Sequence, residues 1–184
     1  MSIIYKIVSF FVLILYKLEC FILLRKHKNR NRPIQRLYLK SLGVKAGEDI
    51  YINGSLYLYK RGSLELGTRV SFGEFTRIWN FSNIKIGNDF LAAANLTLSS
   101  GGHNVNTLEP TARQIKIGDR VWVGVNVTIL ENTIIGNDCV VAAGAVVKGS
   151  FPSGSIIGGV PGKVIGKVDL ENRENFLWSP WKAD

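Results

Sequence analysis

The sequence predicts an all-β chain wound into a parallel solenoid of three flat faces and about five coils. An aliphatic or small residue followed by glycine restarts a six-residue beat at Ala46-Gly47, Leu66-Gly67, Ile86-Gly87, Ile117-Gly118 and Ile135-Gly136. From Ile117 the positions Ile117, Val123, Ile129, Ile135, Val141 and Val147 are all aliphatic, and their companions Val121, Val127, Thr133, Cys139, Ala145 and Phe151 are mostly small or β-branched. A helix would scatter a period of six around its circumference, and a lone strand alternates with a period of two. Three six-residue faces closing an eighteen-residue turn account for both rows, with the aliphatics stacked up the inside.

The chain before the first marker reads differently. Residues 1–45 form an apolar and basic segment expected to be helical. Residues 1–46 hold ten of the 23 Lys and Arg against one acid, Glu19, so the net charge of +9 sits here and the coil is neutral. Ile3 to Leu24 is about one membrane thickness long and apolar except for Lys6, Ser9, Lys17, Glu19 and Cys20. As a spanning helix it would place Lys17 and Glu19 in lipid, at roughly 2.5–3.5 kcal/mol each near the bilayer centre. A signal peptide would need a small-residue cleavage site, and none follows. An interfacial helix places Lys6, Ser9, Lys17 and Cys20 loosely on one side, with Arg25 to Arg32 facing anionic headgroups. A helix packed on the coil, or between subunits, is the remaining reading. No aromatics interleave with Arg25 to Arg32, so nucleic-acid binding is not expected.

The coil is expected over residues 46–168. Its markers lie 20, 20, 31 and 18 residues apart, so one substantial excursion interrupts it, and in-phase rows end at Leu98 and resume at Ile117. The inserted loop, 99–116, begins Ser99-Ser100-Gly101-Gly102-His103. Regular repeat residues are committed to stacking, so a long insertion is where specialised function sits. The 19 glycines are expected at permissive corners. Cys20 and Cys139 lie far apart in the pattern and suggest neither a disulfide nor an oxidising compartment. The tail 169–184, with Phe176, Trp178 and Trp181, is expected to cap the coil or to contact a neighbour.

Three stretches carry a family resemblance: IGNDFLAAANLTLSSGGH from Ile86, IGDRVWVGVNVTILENTIIGNDCVVAAGAVV from Ile117, and GGVPGKVIGK from Gly158. Over about residues 46–168 the chain resembles the hexapeptide-repeat acyltransferases, nearest the branch of galactoside, maltose, xenobiotic and bacterial polysaccharide O-acetyltransferases. The resemblance implies a left-handed parallel β-helix, although parallel crossovers are normally right-handed. It also implies a homotrimer with active sites between subunits, and acetyl-CoA as donor.

The chemistry narrows the base. An alcohol near pH 7 is almost entirely protonated, so acyl transfer to a sugar hydroxyl needs a group to remove its proton, and histidine suits that task. Of the two histidines, His27 lies in the basic run with no cleft suggested, whereas His103 follows two glycines at the start of the long loop. His103 also matches the family's catalytic base. Thirteen residues before Ile86, where the galactoside branch has an Asn, this sequence has Gly73 beside Glu74. Glu74 is a candidate to line the acceptor pocket or orient His103, with a solvated corner as the alternative. Asn95 reads as an outward corner residue bonding backbone. Trp122 matches a family tryptophan near the catalytic loop and, with Arg113, is a candidate acceptor contact.

For the donor, Ala142, Ala143, Gly144 and Ala145 match the run of small residues along which the family lays the pantetheine arm. Lys148, Lys163 and Lys167 stand at or beside positions of the family's phosphate-binding cations. No metal constellation is present, since two dissimilar histidines do not make a three-imidazole zinc site. The reading is an O-acetyltransferase for a sugar of a bacterial surface glycan or glycolipid precursor. It is expected to be cytoplasmic and peripheral at the inner membrane face through residues 3–32. A soluble acetyltransferase for a small acceptor and a non-catalytic β-helix scaffold are the alternatives.

Overall fold

The computed structural model describes residues 10–12, 14, 15 and 33–171. His27, Cys20, the basic run 25–32, most of the apolar segment and residues 172–184 of the tail lie outside the described residues. From Lys45 onward the chain winds into three stacked parallel faces. The first face stacks Lys45–Ala46, Leu64–Leu66, Ile84–Ile86, Ile115–Ile117, Thr133–Ile135 and Ser150–Phe151. The second stacks Ile50–Ile52, Val70–Phe72, Phe90–Ala92, Trp122–Val123, Val140–Val141 and Ser155–Gly158, and Lys163–Lys167 closes its edge antiparallel. The third stacks Leu56–Lys60, Thr76–Asn80, Thr97–Ser99, Thr128–Leu130 and Val146–Val147.

Both six-spaced rows point inward. Every member of the row from Ile117 to Val147 is at most 3% exposed, and Phe151, at 8%, is the most exposed of the companion row. Phe72 and Phe90 fill the middle of the earlier coils, fully buried with ring centroids 5.7 Å apart.

Six strands on the first face make about six turns, one more than the five markers counted. The missing marker has a physical cause. A Cβ on Gly67 would lie 2.6 Å from the carbonyl carbon of Gly87, and one on Gly136 would lie 2.5 Å from the backbone nitrogen of Ser153. These glycines are there because the next coil's backbone passes where a side chain would start. Among the described residues no further strand of this face stacks beyond Ser150–Phe151, and Pro152 follows it without a glycine. The permissive conformation lies two residues later, at Asp49, Arg69, Asp89, Arg120 and Asp138, all with φ near 55°. Of the glycines expected at permissive corners, Gly43, Gly54, Gly144, Gly149, Gly154 and Gly159 do take a positive φ, whereas the marker glycines do not. Arg69 bonds Asp89, and Arg120 bonds Asp138, through two contacts each, so neighbouring coils clasp at the same corner.

The helix Pro33–Ser41, α1, closes the open end of the first coil. Fully buried Gln35 donates to the carbonyl of Ile52 at 3.0 Å and accepts from its N–H at 2.7 Å, while Leu39 enters the core. This supplies partners and cover at an end that would otherwise expose sheet edges and core.

Candidate active site

The excursion leaves the coil at the corner between the third and first faces. Coil strands claim Ser99 and Ile115–Lys116, which narrows it to residues 100–114. It is a two-stranded antiparallel hairpin pairing Gly101 with Ala112, Gly102 with Thr111 and His103 with Pro110. Its root is pinned by fully buried Ser100, whose Oγ accepts the N–H groups of Phe81 and Ser82, each at 2.9 Å, and reaches the Ser82 carbonyl at 3.1 Å. The N–H of Arg113 donates to the Ser100 carbonyl at 3.0 Å and closes the base. Ser100→Ala would orphan those donors at about 1–3 kcal/mol for an unsatisfied group. Urea unfolding is expected to show a loss of about 2 kcal/mol. A change below 0.5 kcal/mol would remove Ser100 as the pin.

The far end of the hairpin is held by its own polar groups. Asn104 Oδ1 accepts from Asn106 N at 2.9 Å, and Leu108 N donates to the Asn104 carbonyl at 2.8 Å. His103 stands exposed at the end of the first hairpin strand, next to this turn. Val105 and Leu108 at the tip are 87% and 74% exposed.

The sequence reading missed Glu131. This carboxylate, 7% exposed, lies under the hairpin at the corner one coil further on. It accepts from Thr111 Oγ1 at 2.9 and 3.0 Å, and Lys148 Nζ stands 3.7 Å from its Oε1. The available signal was an acid directly after Ile129-Leu130, inside the aliphatic beat.

The other candidates sit elsewhere on the coil. Glu74 is at the corner between the second and third faces, half-buried beside a cavity of about 280 Å³ lined also by Tyr51, Ser71, Gly73, Leu91 and Ala93. Ala142, Ala143 and Gly144 occupy the same corner three coils later, about 14 Å along the stack. Ala145 is fully buried in the core, and its backbone N–H and carbonyl are engaged by Ala142 and Thr128, so the exposed run ends at Gly144. Trp122 projects from the second face, 49% exposed, in register with Leu91 and Val140. Arg113 and Lys148 share the hairpin's corner, while Lys163 and Lys167 are exposed on the last strand of the second face. Asn95 donates from Nδ2 to Asn126 Oδ1 at 3.0 Å along the small-residue corner. Within one chain, the width of the third face separates His103 from Glu74 and from the alanine run. That width is about 16 Å for a five-residue strand. Among the described residues no group of three or more His, Cys, Asp or Glu could hold a metal ion.

Known proteins share both this coil and its sequence. Residues 114–149 match the family model for the bacterial transferase hexapeptide (six repeats). The chain is 34% identical over 178 residues to WbbJ of Escherichia coli (strain K12), whose name provisionally assigns it to O-acetyl transfer in lipopolysaccharide biosynthesis. That match covers 85% of this chain and 88% of the relative. Galactoside O-acetyltransferase of the same strain is 26% identical over 151 residues, covering 79% and 74%. A solved galactoside acetyltransferase in complex with coenzyme A superposes with a TM-score of 0.62 at 24% identity, covering 91% of this chain and 87% of that one. The solved neighbours are left-handed β-helices, and the coil described above has their fold. The repeat, the coil and the extent of these matches agree that the chain belongs to the hexapeptide-repeat acetyltransferase family.

Proposed function

We propose that this protein moves an acetyl group from acetyl-CoA to a sugar hydroxyl of a bacterial surface glycan or its lipid-linked precursor. The observation that carries the reading is His103, exposed on a braced hairpin that is the coil's long excursion. The imidazole takes the hydroxyl proton as the oxygen attacks the thioester carbonyl. The tetrahedral intermediate then collapses, the carbon–sulfur bond breaks, and the departing thiolate takes the proton back. CoA lies along Ala142, Ala143 and Gly144, where small side chains let an extended arm approach the backbone, with Lys163 and Lys167 toward its phosphates.

A homotrimer completes the site. The hairpin of one copy meets the small-residue corner of the next, because a single chain holds the two a face apart. The outward rows support this arrangement. The first face presents Lys45, Glu65, Lys85 and Lys116, followed by Ile134 and Ser150, whereas the second presents Leu91, Trp122, Val140 and Ile156 beyond buried Tyr51 and Ser71. The third presents Tyr57, Arg77 and Thr97, beside Tyr59, Trp79 and Ser99. The charged face suits water, and the other two suit a protein surface, as do Val105 and Leu108 at the hairpin tip. Glu74, Trp122 and Arg113 are assigned to the acceptor.

Residues 3–32 place the enzyme at the inner membrane face. Among the described residues no helix is long and apolar enough to cross a membrane. In the described part of the segment Phe10 and Phe11 are each 60% exposed, and Ile14 and Leu15 are 46% and 49% exposed, an apolar surface suited to an interface. The test follows CoA release with acetyl-CoA and either a lipid-linked oligosaccharide in vesicles or a free galactoside. Transfer to the first at least tenfold faster per turnover supports the reading, and equal or faster use of the free sugar overturns the glycan assignment. Fractionation of cells expressing the whole chain or residues 33–184 is expected to show membrane recovery for the whole chain alone. Full solubility of both would overturn the membrane assignment.

A further inference from the structure

A buried carboxylate needs a reason. Removing one from water costs several kcal/mol unless charge-assisted bonds replace the solvent. Glu131 has a neutral hydroxyl, from Thr111, and a largely exposed ammonium, Lys148, at 3.7 Å. An aliphatic or small residue would hold this corner without that cost. Both carboxylate oxygens instead converge on one atom of the hairpin.

The hairpin's register shows what the contact does. Thr111 is the cross-strand partner of Gly102, and a Cβ on Gly102 would lie 3.2 Å from Glu131 Oε1 and 3.4 Å from Thr111 Oγ1. Glu131 therefore rests against the side of the hairpin to which position 102 and Thr111 turn. Successive residues of a strand project to opposite sides, so His103 faces away. Gly101 is seated independently, since its Cβ position falls within 2.7 Å of Phe81 Cγ from the coil below. The strand Gly101–His103 is thus gripped between Phe81 on one coil and Glu131 on the other, with the imidazole at its free end.

We propose that Glu131 is the positioning residue of this enzyme. Through Thr111 it fixes the back of the hairpin so that His103 is presented in one orientation, an inference that rests on His103 as the base. Gly102 is part of the device, because a Cβ there, 3.2 Å from Glu131 Oε1, would push the carboxylate back from the strand by a few tenths of an ångström. The role is geometric, since the carboxylate works from the side opposite the imidazole.

The test compares Glu131→Ala, Glu131→Gln, Thr111→Val and Thr111→Ser in the whole protein, with His103→Ala alongside. Hydrogen exchange of residues 100–113 needs no acceptor. It is expected to speed at least tenfold in Glu131→Ala and Thr111→Val, with residues 115–147 unchanged. Using acetyl-CoA and the faster acceptor of the assay above, kcat is expected to fall about 10- to 100-fold with the KM for acetyl-CoA within twofold. The midpoint of the pH–rate profile should stay in place. Thr111→Ser, which keeps the hydroxyl, and Glu131→Gln, which keeps an acceptor oxygen, should recover most of both signals. If Glu131→Ala does not fold, Thr111→Val decides alone. Exchange and kcat within twofold of wild type in Thr111→Val, or no recovery in Thr111→Ser, overturn the proposal. Full activity of His103→Ala overturns the base assignment instead, and the exchange measurement still reads whether Glu131 holds the hairpin.

Discussion

His103→Ala is expected to lower kcat for acetyl transfer by about 10²–10⁴-fold, the range over which a positioned general base contributes. The side chain is exposed and makes no core contact, so the melting temperature should move by less than about 2 °C. The KM for acetyl-CoA should change less than twofold, because the donor's grip is assigned to Ala142, Ala143, Gly144, Lys163 and Lys167, and His103 is assigned to the acceptor's proton. A combined drop in kcat and kcat/KM with unchanged donor KM is the mark of an interaction made in the transition state. Thiol release under saturating acetyl-CoA measures it. Activity within threefold of wild type would remove His103 from the chemistry and leave the hairpin as a structural feature.

Phe72→Ala is expected to cost about 3–5 kcal/mol, the range for truncating a fully buried aromatic, because Phe72 fills the second coil against Phe90. The loss should not spread evenly. Each coil of a solenoid contacts its neighbours alone, so stability is close to a sum of local terms. Residues 45–80 are expected to lose exchange protection first, with the coils that carry the hairpin and residues 142–144 protected longer. Urea unfolding with exchange readout measures both effects. Uniform loss of protection from Lys45 to Phe151 would mean that the coil unfolds as one cooperative body. Trp79→Ala, on the outward side of the third face and 36% exposed, loses its ring contacts with Tyr57 and Tyr59 at 5.0 and 6.0 Å and should cost about 1–2 kcal/mol, less than Phe72→Ala.

Much of the architecture was legible because stacking is a local constraint repeated along the chain. The aliphatic rows from Ile117 and Val121 had to be buried, since the same beat places each above the last. The excursion was legible as a break in that count. Its internal form was not, because the pairing of Gly102 with Thr111 depends on contacts across the turn that no beat encodes. The glycine markers were found by their spacing, which does not say what each glycine is there for. Their sequence signal is the same whether a glycine supplies a left-handed φ or room for a neighbouring backbone, and only the coordinates separate the two. The sixth turn escaped because, among the described residues, no further first-face strand stacks on its corner, and no glycine marks it. Ala145 was read with its neighbours as groove, but the corner turns its side chain inward while Ala143 and Gly144 stay outside.

The same division holds at the site. One histidine after a glycine pair, at the start of the one long insertion, is a pattern that composition and spacing single out without coordinates. Glu131 lies 28 positions beyond His103, and its local signal, an acid inside the aliphatic beat, does not say that it meets the hairpin. It reaches the hairpin because the coil carries the chain once around and brings that corner back beside it. By itself the sequence determined the repeat, the inward rows and the place where the repeat breaks, since these follow from which side chains water excludes at a fixed spacing. The tertiary structure alone decided which corner receives the hairpin, what grips its back and how far His103 stands from the alanine run. Those are distances between turns of the coil, and they exist only once the coil is wound.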